Sequence, residues 1–98
     1  MTERRTQPRI AKVLDATWHA LSGNAPCRVT DISVQGCFVD AVLAPQVDDE
    51  TDVTVAVGDT LIRLQGRVRY VEPRLGFGLR FNALTEVQRN ELRPILSA

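Results

Sequence analysis

Val53-Thr54-Val55-Ala56-Val57-Gly58-Asp59-Thr60-Leu61-Ile62-Arg63-Leu64-Gln65-Gly66-Arg67-Val68-Arg69-Tyr70 is the stretch whose reading decides the fold. Val53, Val55 and Val57 alternate with Thr54 and Ala56, a period of two that sets one face of a strand against a core. Gly58-Asp59 between two alternating runs is a two-residue hairpin signal, so the flanking strands are expected to be antiparallel neighbours. The second run is the clearer of the pair. Ile62, Leu64, Val68 and Tyr70 share one face and are expected in the core. Arg63, Gln65, Arg67 and Arg69 share the other, a solvated stripe expected to pair with acids nearby. Gly66 interrupts the apolar face and predicts a bulge or bend where a sheet curls.

The same alternation extends in both directions. Ile10, Leu14, Ala16, Trp18 and Ala20 share one parity of a first strand over 10–20, with Asp15, Thr17 and His19 on the other. Leu21 to Pro26 carries turn chemistry, and a second strand is expected over Cys27 to Ile32. A third is expected over Cys37 to Val42. Ala44 to Asp52, with Pro45 and four acids, reads as a solvated loop. After a Glu72-Pro73-Arg74 turn, Leu75, Phe77, Leu79 and Phe81 alternate with Gly76, Gly78, Arg80 and Asn82 in a sixth strand. The period then changes. Thr85 and Gln88 match a capping box, and Leu84, Val87, Leu92, Ile95 and Leu96 fall on one helical face from about residue 85, with Pro94 expected to bend or split the helix. Six short strands followed by one helix predict a mainly β fold, a small antiparallel β-barrel or curled sheet capped by a C-terminal α-helix.

Ninety-eight residues at 44% apolar content supply one core, so a single domain over 10–98 is expected behind a flexible arginine-rich arm at 1–9. Twelve basic residues balance twelve acidic ones, which leaves no overall field for DNA or RNA. The distribution is uneven. Residues 1–12 hold Arg4, Arg5, Arg9 and Lys12 against Glu3 alone, whereas 40–59 hold Asp40, Asp48, Asp49, Glu50, Asp52 and Asp59 without a base. Cys27 and Cys37 form no second pair, and no leader or membrane-spanning run stands out, so reduced thiols in a cytoplasmic protein without membrane insertion are expected.

Two constellations carry chemistry. Arg4-Arg5-Thr6-Gln7-Pro8-Arg9 places three guanidiniums in six residues, groups that fork onto phosphate, grip the O6/N7 edge of guanine or lie flat on a purine. Asp31-Ile32-Ser33-Val34-Gln35-Gly36 is a polar corner between two strands. Its side chains can cap their own turn, or Asp31 can accept from the N1 and N2 donors of a guanine while Ser33 adds a polar contact.

An RRxxxR arm before the first strand, DxSxxG after the second, and the late Gly76-Phe77-Gly78-Leu79-Arg80-Phe81 strand together resemble the PilZ domain family, bacterial receptors for cyclic dimeric GMP (c-di-GMP). The resemblance runs over essentially the whole chain. It implies a six-stranded antiparallel split barrel with a C-terminal helix, a nucleotide-binding receptor of second-messenger signalling rather than an enzyme, and no cofactor beyond the c-di-GMP ligand. It further implies that Arg5 and Arg9 contact the phosphates and guanines of the ligand. Asp31, Ser33 and Gly36 would meet a guanine edge and let the backbone approach it. An arginine at the Arg4 position often accompanies an intercalated ligand dimer in that family. The arm is expected to order over the ligand and the signal to pass to a partner protein. The alternative is a PilZ-like protein-interaction module that binds no nucleotide.

Other chemistry finds little support in the sequence. His19 is the sole histidine and falls on the wet parity of its strand. Ser33 lacks a GxSxG elbow, and Cys27, Cys37 and His19 lack zinc spacing, so neither a catalytic residue nor a metal ligand is expected. Trp18, Phe77 and Phe81 read as core, and no aromatic interleaves the Arg63, Arg67, Arg69 stripe as a single-stranded nucleic-acid surface would need.

Overall fold

A computed structural model describes residues 13–42 and 45–96. Within them six strands and one helix follow in order: β1 (Leu14–Ala20), β2 (Gly23–Thr30), β3 (Gly36–Asp40), β4 (Glu50–Val57), β5 (Thr60–Glu72), β6 (Gly76–Phe81) and α1 (Glu86–Leu96). The strands close into a barrel in the order β1-β2-β3-β6-β5-β4, every neighbour antiparallel. The expected mainly β architecture with a C-terminal helix is what the chain adopts. Expectations for residues 1–12, including the arm and the start of the first strand, lie outside the described residues.

The hairpin that organises the sequence organises the barrel. Val57 opposes Thr60 across Gly58-Asp59, and Gly58 takes φ 59°, the left-handed first position that suits glycine in a two-residue turn. Val53, Val55, Ile62, Leu64 and Val68 point inward and are essentially sealed from solvent. They meet Val29, Val39, Leu79 and Phe77, and Phe77 packs against Trp18 with ring centroids 5.1 Å apart. Trp18 sends its Nε1–H to Thr51 Oγ1 at 2.8 Å, which satisfies the one polar atom of an otherwise apolar side chain.

Several local expectations are corrected. The first turn is only Leu21-Ser22, and β2 starts at Gly23, with Pro26 inside it. Proline is tolerated there because β3 pairs with β2 only over Arg28–Thr30, so no ladder bond is lost on that side. Leu75 lies in the turn before β6 and is exposed rather than core. Gly66 marks no bulge. A Cβ there would overlap the Arg80 carbonyl oxygen, so its glycine serves close strand packing, and the register shift falls between Val68 and Tyr70.

The helix begins as the capping box predicts. Thr85 N donates to Gln88 Oε1 at 2.8 Å and Gln88 N donates to Thr85 Oγ1 at 3.1 Å. Gln88 Nε2 also donates to the Arg63 carbonyl at 2.8 Å, tying α1 to β5. Leu92 and Ile95 face the barrel, with Leu84 just ahead of the helix, whereas Val87 is 65% exposed and does not belong to the inner face. Pro94 neither splits nor ends α1, which runs through it to Leu96. Within the last turn a proline removes a single backbone bond, so the element survives.

Candidate functional site

The corner after β2 is built from its own sequence. Asp31 takes φ 56°, a left-handed conformation that Asp tolerates better than most residues. Ile32 then drops fully into the core. Ser33 is only 2% exposed: its backbone N donates to the Gly36 carbonyl at 2.8 Å, and its Oγ accepts from Gln35 N at 3.1 Å. The Ser33 hydroxyl is thus engaged inside the turn, and Val34 and Gln35 are left on the surface. Gly36 opens β3 opposite Arg80, where a Cβ would overlap the Leu79 carbonyl oxygen. Phe81 N donates to the Gln35 carbonyl at 2.7 Å and fastens the corner to the end of β6.

Next to this corner the outer wall of the barrel sinks into a cavity of about 250 Å³. Asp31, Gln35 and Gly36 form one side; Phe38, Tyr70 and Gly78 the floor; Arg69 and Arg80 the flanks. The floor comes from three strands in one row, since Gly78 opposes Phe38 on one side and Tyr70 on the other. A Cβ at Gly78 would overlap the Tyr70 ring, so glycine lets that ring lie across β6. Phe38 and Tyr70 stack with centroids 6.2 Å apart and planes 30° from parallel.

A bulge makes this possible. Val68 opposes Leu79 and Tyr70 opposes the next residue, Gly78, so Arg69 is the extra residue without a partner. The shift turns Arg69 and Tyr70 outward together, and Tyr70 is 49% exposed where strict alternation puts it in the core. The arginine stripe of β5 is thereby divided. Arg63 pairs with Asp52 and Arg67 with Glu50, each at 2.8 Å, as the acidic neighbourhood predicts. Arg69 and Arg80 make no ion pair among the described residues and remain on the cavity.

The sequence motif therefore meets the cavity in part. Asp31 and Gly36 line it, Ser33 shapes it from behind, and Arg4, Arg5 and Arg9 lie outside the described residues. Phe38, Arg69, Tyr70 and Arg80 were not singled out by sequence. The usable signal for them was the pair Gly76 and Gly78 on one face of β6, because side-chain-free positions in a strand mark close approach by something else. Chemically, two guanidiniums, one carboxylate and a flat aromatic floor suit a planar anionic ligand that carries hydrogen-bond donors.

No cluster of His, Cys, Asp and Glu suited to a metal ion occurs among the described residues. His19 is held between Asn24 Oδ1 at 2.8 Å and Thr54 Oγ1 at 2.7 Å, on the opposite part of the wall. Burial, with a smaller contribution from Asp40, pushes the Cys27 thiol up to about 11, and burial pushes Cys37 up further, so neither is a ready nucleophile. No helix among the described residues is long and apolar enough to cross a membrane.

Comparison with known proteins agrees with this architecture. A structure of the Bacillus subtilis inhibitor of motility (MotI/DgrA) superposes with a TM-score of 0.73 at 17% identity, over 98% of this chain and 49% of that one. The chain thus spans about half the length of that protein, and at this identity the likeness is one of fold. No curated protein sequence is a significant match. The PilZ domain family model matches residues 3–98, nearly the full length, and with the closed six-stranded barrel and its C-terminal helix this shows that the chain belongs to the PilZ family of c-di-GMP-binding domains.

Proposed function

We propose that this chain is a c-di-GMP receptor domain that acts by binding, without catalysis, and passes the signal to a partner protein. The observation that carries the reading is the cavity beside the Asp31–Gly36 corner, where Asp31, Arg69 and Arg80 surround a Phe38–Tyr70 floor. A guanine stacked on that floor offers its N1 and N2 donors to Asp31, and the two guanidiniums take the phosphates of the dinucleotide. Such a carboxylate discriminates guanine by donors that adenine does not present in the same place. At about 250 Å³ the cavity lies just under the roughly 300–1,000 Å³ typical of ligand sites, so it houses one end of a dinucleotide. Arg5 and Arg9, with Arg4 beside them, close over the remainder, and Gly36 keeps the backbone low enough for that approach. Ser33 contributes by holding the corner in shape.

Calorimetric titration with c-di-GMP tests this. Micromolar or tighter binding is expected, lost or weakened more than tenfold, about 1.4 kcal/mol, in Arg9→Ala and Asp31→Ala. A folded protein that ignores the dinucleotide overturns the reading.

A further inference from the structure

Gln35 stands on the same side of the cavity as Asp31, at the far end of the corner. Its backbone is pinned from both directions: the N–H donates to Ser33 Oγ at 3.1 Å, and the carbonyl accepts from Phe81 N at 2.7 Å. Both backbone groups are therefore engaged within the protein. The side chain is exposed, and its amide makes no hydrogen bond among the described residues. A fixed root thus carries an available amide at the rim beside Asp31, a group that offers two N–H donors and one acceptor without charge.

The Watson–Crick edge of guanine presents O6, N1–H and N2–H in that order, one acceptor followed by two donors. An ionised carboxylate only accepts, so Asp31 serves the two donors and repels O6. The oxygen needs a donor at the next position. Tyr70 lies beneath the base as part of the floor, and Arg69 and Arg80 stand on the flanks, where they meet the phosphates. Gln35 is the neutral side-chain donor on the Asp31 side. We propose that Gln35, at a variable position of the DxSxxG pattern, is a specificity-determining residue whose Nε2 donates to guanine O6. Asp31 and Gln35 together then match all three polar atoms of that edge, and a base with a different order leaves a covered polar group unpaired. The inference rests on the receptor reading, with a guanine seated against Asp31.

Calorimetry with c-di-GMP, and with an analogue in which 6-thioguanine replaces both guanines, provides the test. Sulfur at position 6 keeps the N1 and N2 donors but is a much weaker acceptor. Gln35→Met keeps the length of the side chain, removes its donor and changes an exposed position, so the melting temperature should stay unchanged. Its affinity for c-di-GMP is expected to fall about fivefold. The penalty of the sulfur analogue should be about fivefold smaller in Gln35→Met than in the wild type, because the two changes remove the same bond. Undiminished c-di-GMP binding in Gln35→Met, or an equal sulfur penalty in both proteins, overturns the proposal and leaves the receptor reading standing. A wild type that binds no dinucleotide defeats the receptor reading and this inference with it.

Discussion

Gly36 and Gly78 both lie under something a Cβ would strike, yet the obstacles differ in kind. Above Gly36 is the Leu79 carbonyl, fixed in the β6 ladder; above Gly78 is the ring of Tyr70, half-exposed and able to swing. Gly36→Ala is therefore expected to cost about 1–3 kcal/mol in urea unfolding, as overpacking against an immobile group does. Gly78→Ala should cost under about 0.5 kcal/mol and still weaken c-di-GMP binding, because it lifts Tyr70 from the cavity floor. Equal loss of stability in the two variants would refute this distinction. Ser33→Ala, which leaves the Gln35 N–H without its acceptor, should lower stability by about 1 kcal/mol and reduce affinity less than Asp31→Ala. At this scale the turn from Asp31 to Gly36 was legible because it closes on its own neighbours, Ser33 N to the Gly36 carbonyl, whereas the Leu79 carbonyl above Gly36 comes from a distant strand and was not. Tyr70 and Arg69 were not: alternation assigns faces by counting, and one inserted residue reverses the count.

The elements were legible to the extent that their signals are local. The Gly58-Asp59 hairpin and the Thr85/Gln88 box form as read, since each closes within a few residues. Strand ends were less legible, because β2 extends back to Gly23 only through pairing with β1, a contact decided by tertiary closure. Val87 was placed on the inner helix face by periodicity, but the helix approaches the barrel through Leu92 and Ile95. The cap and the tie to β5 can be separated. Thr85→Ala should remove the cap alone, at about 1 kcal/mol. Gln88→Ala also frees the Arg63 carbonyl and should lower the melting temperature further. If Thr85→Ala proves the more damaging, the tie to β5 contributes nothing.

Across the whole molecule, charge is sorted rather than summed. Exposed pairs such as Arg63–Asp52 and Arg67–Glu50 contribute about 0–1 kcal/mol each, so their main effect is to keep β5 cations occupied away from the cavity. Titration adds a second global property. Both thiols have folded pKa values raised above the ordinary 9.0, so the folded state retains protons that the unfolded chain releases. Their contribution is intact below pH 9 and is lost as pH rises through about 11 for Cys27. Chemical denaturation across pH 8 to 11 should show falling stability, and the fall should be smaller in Cys37→Ala, whatever that variant's stability at pH 8. Flat stability in the wild type would refute it.

The Phe38–Tyr70 floor has a further consequence, because the chain contains one tyrosine and one tryptophan. Trp18 is sealed in the barrel at 8% exposure, while Tyr70 lies on the cavity floor. The protein thus carries two natural fluorophores in separate compartments, one sensitive to unfolding and one to whatever settles on the aromatic surface. In Trp18→Phe, tyrosine emission alone should be quenched by a stacking purine, giving a label-free readout of occupancy that leaves the fold's own reporter out of the signal.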